Sequence, residues 1–374
     1  MPGGEMRSRQ FSACFVLSLM LFGCAPPEPL KIGYLGGLSG RVADLGEAGR
    51  SGALLAVEEI NGLGGINGRK VELIVQDDAQ QQESALNAVD ALVAAGVSAI
   101  IGPMTSSVAE TILPTIERAG IVTVSPTVTS TSLSGKDDLF FKVAPPISEN
   151  TRISSRHLFD RGARRLAIAY DLSNRAFSAD WVAQYRRDFA GLGGQVVAEA
   201  TFTSGDEQGY GHAVQQLIDA RPDAFLFISN AVDTVRLIQI VRNRGLNLPV
   251  TTSPWAATEH FIELGGRTVE GVTLTQFFDR SDSSPGYRKF ADTFRARFKQ
   301  EPGFASVAAY DATRATLGGL TQSSGQGGAA LKAVLLSGTT FDGLQQKWQF
   351  DRYGDAQRAT YMTVVNNGRL SIVK

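Results

Sequence analysis

Ile100-Ile101-Gly102-Pro103-Met104-Thr105-Ser106-Ser107-Val108 reads as a buried strand, a sharp turn and the start of a helix. The residues that follow carry Val108, Ile112 and Ile116 at helical spacing, the pattern of an amphipathic helix. Ser106 or Ser107 suits its N-cap. A helix start presents free backbone N–H groups and a partial positive charge, so it is also a ready anion site. Two readings stand at this point: the serines only cap the helix, or they cap it and receive a carboxylate.

Strands and helices alternate on both sides of this segment. Before it come a strand at 31–35, a helix at 46–61, a strand at 71–75 and a helix at 83–95. Strands three and four fall at 98–102 and 121–125. The order predicts an α/β fold with a parallel sheet and helices on both faces. The pattern then repeats. Strands are expected at 165–170, 196–203, 224–228 and 249–252, with helices at 176–192, 210–220 and 232–245 between them. Two doubly wound lobes follow, with the switch near Pro145-Pro146, a pair that ends the preceding strand. The tail adds a strand at 272–276, helices at 285–299, 305–320 and 329–336, and a hairpin turning at Asn366-Asn367-Gly368. The expected division is a signal at 1–23 and a tether at 24–29. Lobe one takes 30–144 with 273–347, and lobe two takes 145–272 with 348–374. Several chain crossings between lobes make a hinge.

Composition narrows the function classes. The chain has 374 residues, 43% hydrophobic, with a net charge of -1. That balance gives no case for nucleic-acid binding. Arg7 and Arg9 precede an apolar run at 11–22 that is too short to span a bilayer comfortably. It reads as an export signal. Leu21-Phe22-Gly23-Cys24 resembles a bacterial lipobox, which marks Cys24 for lipid attachment, and Ala25-Pro26-Pro27-Glu28-Pro29 is an extended tether. Of two cysteines, Cys14 lies inside the signal, so neither a thiol nucleophile nor a disulfide is expected in the mature domain. The three histidines are widely spaced and form no metal motif. No metal and no cofactor are expected. Gly36-Gly37-Leu38-Ser39-Gly40 lacks the spacing of a dinucleotide loop, and no GxSxG arrangement is present, so an enzyme is not expected.

Several motifs occur in a familiar order. They are KIGYLGGLSG from Lys31, AVEEINGLGGINGRKVELIVQDDA from Ala56, and AIIGPMTSSVAETILPTIERAGIVTVSPTVTS from Ala99. GGRTVEGV, EPGFASVAAYDA and a last strand–turn–strand complete the set. From about Lys31 to Lys374 the chain resembles the leucine/isoleucine/valine-type substrate-binding proteins of bacterial ATP-driven importers, with the type I periplasmic-binding fold. Gly64-Gly65-Ile66-Asn67-Gly68 reads as turn geometry. Asp77 and Asp78 read as partners of loop backbone, and Tyr310-Asp311 as packing, with Tyr310 able to reach the cleft.

In open α/β sheets ligands bind beyond the carboxyl ends of the strands, and here two sets of ends face each other. The resemblance implies that Ser106 holds the ligand carboxylate, with the Thr127 backbone N–H and the Thr129 hydroxyl assisting. Ser107 and Leu45 are further candidates in lobe one. In lobe two the family's tyrosine position falls on Phe177 and its acidic position near Trp255. Asn230 and Asp233, at the adjacent strand end, are candidates to replace that acid for a ligand ammonium; otherwise the ligand carries none. The expected protein is a monomeric, lipid-anchored receptor for a small carboxylate, such as an amino acid, delivering it to a membrane permease. The alternative is a sensor domain acting through a partner.

Overall fold

The computed structural model describes residues 27–41 and 43–373. The export signal and Cys24 lie outside the described residues. No helix among those described is long and apolar enough to cross a membrane.

The first sheet is built from β1 (Leu30–Gly36), β2 (Val71–Asp77), β3 (Ile100–Ile101), β4 (Thr123–Ser125) and β5 (Phe140–Lys142). Its order is β2-β1-β3-β4-β5, parallel throughout. The connecting helices are α1 (Ala43–Gly62), α2 (Gln82–Ala94) and α3 (Ser106–Ala119). α3 forms because Val108, Ile112 and Ile116 fall on one buried face while Glu110 and Glu117 face water. It ends at Gly120, whose φ of 68° gives the left-handed cap that a side chain disfavours.

The chain then crosses at Val143–Pro146 into α4 (Ile147–Asp160) and the second sheet. That sheet alternates β6 (Arg165–Asp171), α5 (Arg175–Gly191), β7 (Gln195–Phe202), α6 (Glu207–Asp219), β8 (Ala224–Ile228), α7 (Ala231–Asn243) and β9 (Val250–Thr252). α8 (Glu259–Gly265) leads to β10 (Thr273–Gln276). β8, with the sequence AFLFI, is buried at every position, as a central strand covered on both faces must be.

The tail serves both lobes. α9 (Pro285–Phe298), α10 (Phe304–Gln322) and α11 (Gly328–Leu335) return to the first sheet; a small ribbon follows, β11 (Phe341–Asp342) with β12 (Lys347–Trp348). β13 (Tyr361–Asn366) and β14 (Arg369–Ile372) then complete the second sheet, in the order β14-β13-β10-β9-β8-β6-β7. Their turn places Asn367 at φ 52° and Gly368 at φ 69°, the twist-matched hairpin geometry. β10 pairs with β9 and β13. The expected boundary at 272/273 is therefore corrected, and 273–276 go with the second sheet, because hydrogen-bonded pairing fixes membership.

α10 is buried on almost every face, and it lies against α1 at close range. A Cβ added at Gly52 would sit 2.0 Å from Ser306 O, so only glycine permits this approach. Beside it Tyr310 OH donates to Glu59 of α1. That bond holds Tyr310 in helix packing rather than in the cleft. Asp311 is ion-paired with Arg358 and accepts from Leu344 N at 2.9 Å, which ties α10 to the last crossing.

Gly52→Ala is expected to destabilise the protein by about 1–3 kcal/mol through overpacking. Gly62→Ala, with open space around the added carbon, should leave stability nearly unchanged. Denaturant unfolding of both variants checks the comparison.

Candidate functional site

The strand ends of the two sheets enclose a cleft of about 520 Å³, open solvent at its mouth included. Lobe one supplies Leu45, Met104, Ser106, Thr127, Thr129 and Phe304. Ala144 and Pro145, in the first crossing, form its floor. Lobe two supplies Asn150, Asn174, Phe177, Trp181, Pro254, Trp255 and Phe277. None of these side chains is ionisable.

The geometry of lobe one begins at Gly102. Its φ is 120°, and a Cβ there would lie 2.0 Å from Leu35 O, so glycine lets the chain turn directly off β3. Thr105, rather than a serine, occupies the N-cap of α3, and it makes no side-chain cap bond. Ser106 and Ser107 are the first two helical residues, which corrects the expected cap by one position. Ser106 is almost fully buried and lines the cleft at the start of α3. At the end of β4, the Thr127 hydroxyl donates to Met104 O at 2.6 Å. Thr127 therefore has only its backbone N–H to offer the cleft. Thr129 Oγ1 is buried with no hydrogen-bond partner, an open position for a ligand.

Ser107 has another use. Its N–H donates to Asn174 Oδ1 at 3.0 Å, and its Oγ accepts from Ala176 N at 3.2 Å. Asn174 is the N-cap of α5 and makes no cap bond to its own helix. Each helix start is thus capped by a side chain of the opposite lobe. The Thr131 N–H to Asp180 bond at 2.7 Å and the Thr258 hydroxyl to Asp44 bond at 2.5 Å add further links between lobes.

Phe177 and Trp255 meet edge to face at 5.8 Å and 82°, and Phe177 lies 6.3 Å from Trp181. Phe177 comes from the first turn of α5, and Trp255 from a short 3-10 turn at Pro254–Ala256. Asn230 and Asp233 do not line the cleft. Asn230 caps α7, its Oδ1 accepting from Asp233 N at 3.0 Å. Asp233 is fully buried and accepts from Arg41 at 2.8 Å, Tyr210 at 2.7 Å and Asn230 at 2.6 Å. The placement expected for a ligand ammonium is corrected: protein donors occupy this carboxylate. Burial works against the Arg41 charge, but the hydrogen bond and charge of Asp233 outweigh it and hold Arg41 above its ordinary value.

Sequence reading missed Asn150, Asn174, Trp181, Met104 and Phe304 as cleft residues. Position offered a signal for some of them. Met104 directly follows the Gly-Pro turn, and Asn174 follows the strand expected at 165–170, at the carboxyl end where open α/β sheets bind ligands. Asp77 and Asp78 bond the loop backbone as expected, at 2.7–2.8 Å to Leu38, Ala79 and Gln80.

The profile of the periplasmic binding protein family matches residues 29–369. The chain belongs to this family. The expected leucine/isoleucine/valine-type resemblance is borne out. A leucine-, isoleucine-, valine-, threonine- and alanine-binding protein of Pseudomonas aeruginosa is 22% identical over 357 residues, 94% of each chain. Among solved structures, a leucine-binding protein of Thermotoga maritima superposes with a TM-score of 0.85 at 23% identity, covering 92% of this chain and 98% of that one. A solute-binding protein of Rhodopseudomonas palustris in complex with 3,4-dihydroxybenzoic acid gives 0.82 at 19% identity, with 92% and 96% covered. The type I fold is thus shown. These relatives are solute-binding proteins, not enzymes, and family membership places the chain outside the cytoplasm.

Two outcomes test this geometry. Ser107→Ala removes a cross-lobe cap worth about 1 kcal/mol, so ligand affinity should fall roughly fivefold with the cleft lining intact; titration calorimetry measures it. The second concerns Asp171 at the end of β6. Burial pushes its carboxyl up to about 6, helped by the charge of Asp233 and opposed by bonds from Ser173 and Ser204. A raised carboxyl is destabilising once ionised. Its favourable contribution is complete below the unfolded value of 3.8 and lost as pH rises through about 6. Stability of Asp171→Asn relative to wild type should therefore rise by about 1–3 kcal/mol from about pH 4 to about pH 7, read by unfolding at both pH values.

Proposed function

We propose that the protein is a lipid-anchored solute receptor that captures a small carboxylate-bearing ligand between its lobes and delivers it to an ABC-type permease. The observation that carries this reading is the meeting at one cleft of two helix starts, α3 and α5, that lack caps from their own N-cap residues. Each brings partial positive charge, so the two ends repel while the cleft is empty. An anion between them relieves that repulsion and favours the state in which Ser107 and Asn174 exchange caps. Capture and closure are then one event, with the ligand selecting the closed arrangement.

Ser106 Oγ, Thr129 Oγ1 and the Thr127 N–H supply the carboxylate contacts. Hydrogen bonds to an ionised group contribute roughly 1.5–3 kcal/mol each, enough to orient a carboxylate shielded from water. Phe177, Trp181 and Trp255 take the ligand body. The relatives support a carboxylate in general: the Pseudomonas protein is named for amino acids, and the Rhodopseudomonas protein holds an aromatic acid. Delivery to a permease rests on the family. The anchor rests on Leu21-Phe22-Gly23-Cys24 followed by the proline-rich tether. No step needs bond chemistry.

Ser106→Ala combined with Thr129→Val should abolish ligand binding while thermal unfolding stays near wild type. Unchanged affinity would sink the carboxylate assignment. Cys24→Ser should release the exported protein from membranes and remove incorporation of labelled fatty acid; labelling that persists would rule out Cys24 as the anchor.

A further inference from the structure

Resting on the carboxylate reading above, we infer that the ligand is an aryl carboxylate without an ammonium group. An α-amino acid brings a positive charge into the cleft along with its carboxylate. A buried ammonium is strongly disfavoured unless a carboxylate or several acceptors compensate it. No acidic side chain lines this cleft among the described residues.

Neither of the two carboxylates at neighbouring strand ends of lobe two lines the cleft. Asp233 is shared among Arg41, Tyr210 and Asn230. Asp171 is fully buried outside the cleft lining; its Oδ1 receives the N–H groups of Ser173 at 2.9 Å and Ser204 at 3.1 Å, and its Oδ2, buried without a partner, does not reach the cleft lining. Two of the cleft's amide oxygens lie in Asn150 and Asn174, and that of Asn174 is taken by Ser107 N. Among the side chains opposite the carboxylate site, the Asn150 amide and a wall of rings remain.

That wall has a definite shape. The Phe177 and Trp255 rings stand perpendicular, with Trp181 behind Phe177. Phe277 and Phe304 add two more rings to the lining. A flat ring of a ligand in the cleft can add further edge-to-face or stacked contacts to the Phe177 and Trp255 pair. Benzoate is the simplest molecule with a carboxylate at one end of such a ring and no other charge. A cation over Trp255 would gain some attraction, but it would still lack a carboxylate partner.

Titration calorimetry on the purified protein, freed of retained ligand, compares benzoate, benzamide, L-phenylalanine and L-leucine. Benzoate should bind tightest, with each amino acid weaker by roughly tenfold or more, and benzamide should not bind. If either amino acid binds as tightly as benzoate while benzamide stays silent, the aryl inference is overturned and the carboxylate reading survives. Benzamide binding as tightly as benzoate overturns the carboxylate reading itself. Silence from all four probes overturns the aryl inference. Trp255→Asp should weaken benzoate by roughly tenfold or more and narrow the gap to L-leucine; circular dichroism confirms that the variant is folded.

Discussion

A helix start that lacks its own cap must find partners elsewhere, and α3 and α5 find theirs in each other. Ser107 supplies an acceptor to α5, and Asn174 supplies one to α3. Both residues sit where a strand has just ended, so their positions depend on the two sheets facing one another. Separating the lobes would return both helix starts to water. The bonds are individually modest. Their effect is directional: they link closure of the cleft to the same backbone termini that can receive an anion.

The rest of the molecule keeps this meeting in register. Gly102 lets the chain leave β3 against Leu35, which sets where α3 begins. Gly52 lets α1 lie on α10, a packing that holds lobe one rigid behind the site. The crossings at Val143–Pro146, after β10 and before β13 join the lobes at three places. Three strands of chain restrict relative motion to bending. The buried Arg358–Asp311 pair fixes the last crossing to α10, so force at the hinge is passed to a packed helix.

Much of this was legible in the sequence because parallel strands are buried on both faces and read as apolar runs, as β8 does. The Asn367-Gly368 turn was legible for a local reason, since both positions need positive φ. α4 escaped notice because its buried face is built from Thr151, Ser154 and Ser155 as well as Ile147 and Leu158, which hides the apolar period. The N-cap of α3 fell on Thr105 instead of a serine, since adjacent hydroxyl residues have nearly equal cap preference. Asp233 looked available because its principal cation, Arg41, lies 192 residues away. No local pattern reports such a pairing. β10 was recognised as a strand, but its sheet is decided by partners from distant segments.

The chemistry of the cleft follows from what it lacks as much as from what it holds. Hydroxyls and the α3 start on one wall face rings and the α5 start on the other, and none of the cleft-lining side chains is ionisable. The most direct measurement is the crystal structure of the protein with the ligand retained through purification. A carboxylate within hydrogen-bond distance of Ser106 Oγ and Thr129 Oγ1, with the ligand body against Phe177 and Trp255, is the predicted result. A ligand whose carboxylate points into lobe two, or one bound wholly outside the cleft, would contradict the account.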